Sequence, residues 1–551
     1  MNFVRAYLVG IGVFICVLVI IARLLVLNLD QKEFLQEEGN KRAIGVSEIS
    51  VHRGIIQDRL GKPLAISTPA FSLHVDPKQL LAADQDLSVL TEYLGVDQEF
   101  FKKRMQENIK GRGYYLKRDV PPSKARELLS SGIKGLQADR TFKRFYPAGE
   151  VAAHVVGIVD TDDKGIEGLE LSHDSWLAGV PGEKKFLRDA HREIVKDEKF
   201  LIHAEPGKNL QLTIDMRLQY LAYKELKSAV QSFNAESGSV VLVDVSNGEV
   251  LAMVNQPSYN PNFRGHRNHQ PERARNRALT DVFEPGSTVK PFTAVAALES
   301  GRYSPDSVID TSPGALKIGS LHIQDPLDRG ILSLRQIIAH SSQVGISKLA
   351  LDIDEHDMWD LFQRLGFGKP LSTGFPGEQN GSLPYRRRWN DIERATFAYG
   401  YGLSLTPAHL ASAYMTIAND GLKKDLVLVR GSVSDTSRVF SKSVAKQIKQ
   451  MLVAVVNEGT GRKAAVRGYQ VAGKTGTARK LGKGGYKDTN HLAFFAGLAP
   501  ISQPRLVAVV LINDPQALSS GGGAVAAPVF SRVMQAALRI LNVPPEVKGS
   551  V

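Results

Sequence analysis

Residues 283–291 read Phe-Glu-Pro-Gly-Ser-Thr-Val-Lys-Pro, and the interpretation of the whole chain starts from them. The Pro-Gly pair is typical of a loop, and Pro291 is tolerated in a helix only within the first turn, so a helix N-terminus is predicted at or near Ser287. Ser287 and Lys290 then share a helix face, where the lysine amine can accept the hydroxyl proton. The stretch therefore predicts a serine nucleophile with a lysine base.

A serine followed three residues later by a lysine is a weak signal by itself. The same spacing occurs at Ser131 and Lys134 and at Ser443 and Lys446, and we interpret those four as ordinary surface residues. Two distant segments strengthen the site at residue 287. Ser341-Ser342-Gln343 follows a predicted helix at 332–339, and Lys474-Thr475-Gly476-Thr477 continues a strand-like run at 469–472. Together they predict an acyl-transfer site that uses a serine and two lysines and needs no histidine.

Residues 206–551, which contain these segments, have regular hydrophobic patterns. Consecutive strand-like runs with short connections favour antiparallel pairing, so this part predicts an α+β fold with an antiparallel sheet flanked by helices. Asn247-Gly248 between two such runs predicts a hairpin. The helical patterns lie at 216–231, 291–299, 407–418, 443–456 and 526–541. The strand-like runs lie at 210–214, 240–245, 250–254, 492–498 and 506–512.

Residues 29–205 have a less even pattern. Short alternating runs, a charged helical stretch at 98–108 and a turn signal at 58–61 follow one another without a long periodic segment. This pattern predicts a mixed α/β region with little single-core character, which precedes the catalytic part.

Residues 6–28 predict a transmembrane anchor. All residues from 6 to 22 are apolar or glycine, and apolar residues resume after Arg23. About 22 helical residues at ~1.5 Å each cover ~33 Å, enough for a hydrocarbon core of ~30 Å. The alternative is a signal peptide, whose apolar core is normally shorter and precedes a small-residue cleavage site, whereas Arg-Leu-Leu follows here. We expect an uncleaved single-pass helix, with residues 1–5 as a cytoplasmic tail.

Charge and cysteine content exclude several classes of function. The chain has 551 residues and a net charge of +12, but the basic surplus is diffuse, so we expect a solvated surface and no nucleic-acid partner. The single cysteine, Cys16, rules out an intramolecular disulfide and a cysteine zinc site. His266 and His269 have no nearby carboxylate pair, so we expect no metal and no cofactor.

Several motifs in this order resemble those of class B penicillin-binding proteins of the division type. The Ser-x-x-Lys, Ser-x-Asn and Lys-Thr-Gly set is a known signature of penicillin-binding proteins. The resemblance covers essentially the whole chain and implies a penicillin-binding transpeptidase domain, a dimerisation-like pedestal over 29–205 and an N-terminal membrane helix. The matching segments are 53–61, 144–149, 165–170, 276–293, 399–402, 472–478 and 526–530.

The resemblance also implies a role for each site residue. Ser287 would attack the D-Ala-D-Ala carbonyl of a peptidoglycan stem peptide, with Lys290 as base and Ser341 as proton relay. Lys474 would supply fixed positive charge. Thr475 and Thr477, on either side of Gly476, would bind the substrate carboxylate. The backbone N–H groups of Ser287 and Thr477 would form the oxyanion hole, and β-lactams would acylate the same serine.

Gln343 departs from the family pattern, which has asparagine at this position. Glutamine keeps the amide but adds a methylene, which moves the donor and the acceptor. One neutral hydrogen bond is worth about 0.5–1.5 kcal/mol, or up to roughly tenfold in rate. We therefore expect an attenuated rate and not loss of activity, so the site should still acylate, with an altered preference among β-lactams.

The resemblance implies a septal enzyme of the inner membrane, with its catalytic domain on the periplasmic side. The implied partners are peptidoglycan stem peptides, β-lactams, the membrane, a septal glycosyltransferase of the FtsW type and other division proteins. Two alternatives stay open from sequence. One is a catalytically weak or idle paralogue that acts as a division scaffold, and the other is an elongation-type class B transpeptidase.

Overall fold

The protein is described from a computed structural model that covers residues 2–83, 85–109, 113–188, 194–263, 271–432, 434–482, 485–516 and 520–546. The chain forms two compact units. The first contains Met1–Arg53, Thr68–Lys143 and Ala178–Lys208. The second contains Gly54–Ser67, Arg144–Leu177 and Asn209–Val551.

Up to Lys208 the chain forms short helices and small sheets. Strands β1, β8 and β9 form an antiparallel sheet, and β3 pairs with β4 and β5. The helices are α1 (Asn2–Leu29), α2 (Lys32–Ala43), α3 (Pro77–Ala82), α4 (Ser88–Leu94), α5 (Gln98–Glu107), α6 (Pro122–Ser130), α7 (Ala153–Val156), α8 (Gly168–Ser172) and α9 (Asp174–Leu177). The strands are β1 (Ile44–Ile49), β2 (Ile56–Gln57), β3 (Pro63–Val75), β4 (Tyr114–Val120), β5 (Leu136–Phe145), β6 (Ile158–Val159), β7 (Gly165–Glu167), β8 (Gly182–Arg188) and β9 (Ile194–Ile202).

Helix α1 covers the predicted anchor. Its segment Phe3–Leu29 has 27 residues and is long and apolar enough to cross a membrane by length and composition. No part of its most apolar stretch is buried within the chain. Phe3, Tyr7 and Phe14 are each more than half exposed. Such a surface is stable in lipid and costly in water.

The rest of the chain builds the sheet that carries the site, in the strand order β12-β11-β21-β20-β19, with all neighbours antiparallel. The strands are β10 (Leu210–Gln211), β11 (Ser237–Asp244), β12 (Val250–Gln256), β13 (Val308–Asp310), β14 (Ala315–Ile318), β15 (Leu321–Gln324), β16 (Ile331–Ser333), β17 (Leu422–Lys424), β18 (Thr436–Arg438), β19 (Ala472–Gly482), β20 (Gly485–Ala499) and β21 (Leu506–Asn513). The helices are α10 (Met216–Ser232), α11 (Arg277–Thr280), α12 (Lys290–Glu299), α13 (Leu334–His340), α14 (Gln343–Asp352), α15 (Asp357–Leu365), α16 (Asp391–Ala398), α17 (Pro407–Ala418), α18 (Lys442–Asn457) and α19 (Gly522–Ile540).

The central sheet is buried on both faces. Along β11, Val240 and Leu242 belong to one hydrophobic core, and Val241 and Val243 belong to another. This split follows from the pleat of a strand, in which successive side chains point to opposite faces. The first core packs α10 and α19 against the sheet, and the second packs α12 and α17. The predicted α+β architecture with helices on an antiparallel sheet is confirmed.

Two strand predictions were wrong in their bounds. The run at 469–472 enters a strand only at its last residue, Ala472, where β19 begins. Tyr469 instead closes a turn in which Gly468 has a φ of +85° and Tyr469 N donates a hydrogen bond to Val466 O at 3.1 Å. The run at 210–214 forms a strand only at Leu210–Gln211, after which Leu212 makes an isolated bridge to Val429. In both places the apolar residues are buried by turns and bridges and not by a regular ladder.

Candidate active site

Ser287 lies in a single 3₁₀ turn, Gly286–Val289, that leads directly into α12. The backbone of this turn is held from two sides. Gly286 N donates to Gly400 O at 3.1 Å, and the buried Tyr414 hydroxyl donates to Thr288 O at 2.8 Å. Ser287 itself is half-buried, while α12 is buried along most of its length. The turn therefore presents Ser287 at the surface of a rigid core, near the helix N-terminus as predicted.

Lys290 is fully buried and contacts Ser341. Its Nζ donates to Ser341 O at 2.6 Å and to Ser341 Oγ at 3.2 Å. Ser341 ends α13 in the left-handed conformation, with a φ of +61°, which is uncommon for a residue with a side chain. Burial lowers the pKa of Lys290 to about 7, against an opposing contribution from the Asp325 carboxylate. A large share of Lys290 is therefore neutral near pH 7.

Asp325 is a residue of the site that the sequence analysis missed. Its carboxylate accepts hydrogen bonds from the Ser342 hydroxyl, from Gln343 N at 2.5 Å and from Val344 N at 3.3 Å. Ser342 Oγ in turn accepts from Gly345 N at 2.8 Å and caps α14. Asp325 thus fixes the start of the helix on which Gln343 is the first residue. An aspartate 17 residues before Ser342 gives no pattern from which this contact could have been predicted.

Lys474 is buried on β19, the edge strand of the central sheet. Its Nζ donates to Thr475 O at 3.1 Å. Burial and the positive charge of Lys290 lower the pKa of Lys474 well below its ordinary value. The positive charge of Lys290 therefore disfavours a second positive charge at Lys474.

Gly476 and Gly286 show how closely β19 approaches the serine turn. A Cβ at Gly476 would lie 2.7 Å from Thr288 Cγ2, and one at Gly286 would lie 3.4 Å from Thr477 O. Only glycine at residue 476 allows this approach without a shift of the strand or the turn. The structure thus brings the three predicted segments, around Ser287, Ser341 and Lys474, together at one place, which we call the catalytic cleft.

The hydroxyl groups of Thr475 and Thr477 have different partners. Thr475 Oγ1 lies 2.6 Å from the hydroxyl of Thr460, and Thr477 Oγ1 accepts from Gly522 N at 3.2 Å. Thr460 also donates its backbone N–H to Ala339 O at 3.3 Å, two residues before Ser341. Thr460 therefore links both walls of the cleft, and sequence reasoning did not find it because its Gly-Thr-Gly context reads only as a loop.

The other Ser-x-x-Lys pairs lie at the surface, as predicted. Ser131, Lys134, Ser443 and Lys446 are all exposed. His266 and His269 lie outside the described residues.

Comparisons with known proteins agree with this geometry over nearly the whole chain. The family model of the penicillin binding protein transpeptidase domain matches residues 238–535, and that of the penicillin-binding protein dimerisation domain matches residues 48–212. The Escherichia coli K12 peptidoglycan D,D-transpeptidase FtsI is 41% identical over 96% of this chain and 91% of its own length. The probable peptidoglycan D,D-transpeptidase PbpC of Pseudomonas aeruginosa is 40% identical over 96% of this chain and 94% of its own length.

A solved structure gives the same fold. Penicillin binding protein 3 of Mycobacterium tuberculosis in complex with aztreonam has a TM-score of 0.69 and 27% identity, with 91% of this chain and 98% of that chain covered. Three findings indicate the same family. They are the sequence identity of 41% over almost the full length, the two matching family models, and the convergence of three motifs in the catalytic cleft. The chain therefore belongs to the class B penicillin-binding proteins, the family of peptidoglycan D,D-transpeptidases.

Proposed function

We propose that this peptidoglycan D,D-transpeptidase forms its acyl-enzyme on Ser287 and uses Lys290 as the base. The observation that carries the proposal is the contact of buried Lys290 with Ser341. Lys290 lies three residues, or about one helical turn, after Ser287. Burial gives this amine a pKa of about 7, so it can act as a base at neutral pH. A structural lysine in the same place would instead need a carboxylate in direct contact to keep its charge.

In the acylation step, Ser287 Oγ attacks the carbonyl carbon between the two D-alanines of a stem peptide, and its proton passes to the Lys290 amine. The backbone N–H groups of Ser287 and Thr477 stabilise the oxyanion of the tetrahedral intermediate. The C–N bond then breaks, and terminal D-alanine leaves with a proton relayed through Ser341. An ester between the stem peptide and Ser287 remains.

In the second step, an amine from a neighbouring glycan strand attacks this ester, which forms the cross-link and restores the Ser287 hydroxyl. The position of β19 at the edge of the sheet suits an extended peptide, because an edge strand can pair with a further strand, and Thr477 on it is exposed. Lys474, Thr475 and Thr477 would bind the carboxylate of the substrate. The amide of Gln343 would contact the peptide from the other wall of the cleft.

β-Lactams would acylate the same serine, since the related Mycobacterium tuberculosis protein binds aztreonam. We further place the chain in the inner membrane through residues 6–28, with residues 1–5 in the cytoplasm. The pedestal at 29–205 and the transpeptidase domain at 206–551 would lie on the periplasmic side. The apolar helix Phe3–Leu29 supports the anchor, and the location of peptidoglycan outside the membrane supports the orientation.

A role in septal wall synthesis, with a glycosyltransferase of the FtsW type as partner, is supported by the 41% identity to a protein named FtsI. A specialised paralogue is the second candidate, because the chain is almost equally similar, at 40% identity, to a transpeptidase with a different name, PbpC. A fluorescent fusion of the full chain distinguishes the two. Enrichment at the septum and rescue of a strain depleted of its division transpeptidase support the septal role, and uniform envelope signal without rescue supports the paralogue.

Labelling with a fluorescent penicillin tests the chemistry. We expect a covalent band with the natural chain and none with Ser287→Ala. Ser443→Ala is the matched control, because that exposed serine has the same spacing to a lysine but lies at the start of α18. We expect this variant to label like the natural chain. A band that persists in Ser287→Ala would contradict the assignment of the nucleophile, and no band with the natural chain at saturating probe would support the idle scaffold.

A further inference from the structure

A groove of about 690 Å³ lies along α18 in the second unit, and the proposed mechanism does not use it. Four basic side chains line it: Arg335 of α13 and three lysines of α18, namely Lys442, Lys446 and Lys449. The three lysines are spaced four and three residues apart, which places them on one face of the helix over roughly 10 Å. We call this feature the basic groove.

Acidic groups near the basic groove neutralise only part of its charge. Asp420 lies 3.3 Å from Lys442 and 2.7 Å from Lys449. Glu546 lies beside two lining residues, Gln470 and Ser502, and its carboxylate already accepts hydrogen bonds from their backbone N–H groups. Within the described part of the chain, no carboxylate lies within 4 Å of Arg335 or Lys446. The groove therefore has a surplus of positive charge that an anionic ligand would match.

The remaining lining favours a peptide over a simple anion. Gln450 and Gln470 offer amide groups that can form hydrogen bonds with a peptide backbone. Val453 and Ile501 add apolar surface to the lining. A free phosphate would use only the charges. An extended peptide advances about 6.6 Å for every two residues, so acidic side chains on alternate residues could reach successive lysines along the groove.

The basic groove is connected to the catalytic cleft through the two helices that form its walls. Helix α13 carries Arg335 near its start and ends at Ser341, which contacts Lys290. Helix α18 leads into the loop of Thr460, which contacts both Thr475 and the backbone of Ala339. A ligand that bridges Arg335 and the lysines of α18 would hold the two walls of the cleft in one arrangement.

We propose that the basic groove docks an acidic segment of a partner protein, and that its occupancy changes the acylation rate of Ser287. The second half rests on the proposed function of Ser287 as nucleophile. If that function failed, penicillin labelling would be absent with or without a ligand, whereas failure of the docking proposal would leave basal labelling intact.

Binding is tested on the full chain in neutral detergent with a fluorescein-labelled decapeptide that has glutamates at four alternate positions and two leucines. The control peptide has glutamine in place of glutamate. Lys442→Ala/Lys446→Ala should weaken binding about tenfold or more, and higher salt should weaken binding to the natural chain. The matched control, Lys103→Ala/Lys224→Ala, removes the same charge from exposed sites on α5 and α10 and should bind within about twofold of the natural chain. Equal binding of both peptides, or equal loss in both double variants, would overturn the proposal.

Coupling is tested by the rate of penicillin labelling with and without saturating glutamate peptide. We expect a change of about twofold or more in the natural chain and in Lys103→Ala/Lys224→Ala, and no change in the groove variant. An unchanged rate in the natural chain would overturn the regulatory half of the proposal. Displacement of the peptide by phosphatidylglycerol vesicles, with loss of vesicle binding in the groove variant, would identify a lipid surface as the ligand and overturn the protein partner.

Discussion

At the scale of single residues, Lys290 determines the pH dependence of acylation. Burial lowers its pKa to about 7, and only the neutral amine can accept the Ser287 proton. Because the neutral fraction grows as pH rises through the pKa, we expect the penicillin acylation rate to increase between about pH 5 and about pH 8. Stopped-flow labelling across this range measures it, and a flat profile would contradict the role of Lys290.

Lys290→Arg is the companion variant. A guanidinium keeps the positive charge but is not deprotonated in proteins, so it cannot serve as a base. We expect acylation to fall about 10²–10⁴-fold at every pH. Lys348→Arg is the matched control, because the amine of this α14 lysine donates to the carbonyl of Asp310, away from Ser287, and the labelling rate of the variant should stay unchanged.

Asp325 adjusts the same titration from a distance. Its negative charge raises the pKa of Lys290, so Asp325→Asn should lower that pKa further and shift the rise in acylation rate to more acidic pH. The variant also loses the charge that holds the start of α14, which should cost about 1–3 kcal/mol and lower the melting temperature. Asp391→Asn, at an exposed position in the first turn of α16, should change neither. An unshifted pH profile in Asp325→Asn would show that its charge does not reach Lys290.

Gln343 tests the departure from the family pattern. Gln343→Asn shortens the side chain by one methylene and returns the amide to the usual position of the family. We expect the acylation rate to change by up to roughly tenfold, with the size depending on the β-lactam. Second-order acylation constants for several β-lactams measure this, and equal rates for all of them would remove Gln343 from substrate recognition.

At the scale of elements, the close approach of β19 to the serine turn is fixed by Gly476. Gly476→Ala would place a methyl group 2.7 Å from Thr288 Cγ2, so either the strand or the turn must shift. We expect a loss of about 1–3 kcal/mol of stability and at least about tenfold slower acylation. Gly113→Ala is the matched control, because its nearest contact would be at 3.9 Å. Thermal melts and labelling rates that match the natural chain would contradict this packing.

Elements with their own local signals were predictable from sequence. Helix α17 begins at Pro407 and ends at Ala418, as predicted, because Thr406 accepts a hydrogen bond from His409 N and proline fits the first turn. The strand predicted to start at residue 469 starts only at Ala472, because Tyr469 closes a turn around Gly468, and hydrophobicity alone does not distinguish the two.

The site was predictable only as far as its motifs extend. Ser287 and Lys290 could be placed on one helix face from their spacing, but three such pairs exist and only the resemblance selected one. Asp325 and Thr460 are brought to the cleft by contacts between distant segments, which no local pattern encodes. Their roles depend on tertiary structure, and they became visible only in the folded chain.

At the scale of the whole molecule, α1 should determine where the enzyme is found but not how it reacts. Its apolar segment Phe3–Leu29 is exposed in the protein, so the full chain should sediment with membranes and need detergent for extraction. A chain that lacks residues 1–29 should remain in the soluble fraction and label with penicillin at the same rate. Membrane sedimentation of the shortened chain, or slow labelling, would contradict this division of roles.

The buried pair of lysine amines makes ligand binding a proton-linked equilibrium for the enzyme. In the free protein, burial and the positive charge of Lys290 lower the pKa of Lys474 well below its ordinary value, so the protonated form of this amine is disfavoured. A carboxylate bound beside Thr475 would supply a counter-charge and raise the pKa of Lys474 again, so we expect anion binding to favour the protonated amine. Thermodynamic linkage then requires that affinity for anionic ligands decrease as the medium becomes more alkaline. We therefore expect the enzyme to bind a free C-terminal acid more tightly than the corresponding amide, because only the acid stabilises the charged form of Lys474.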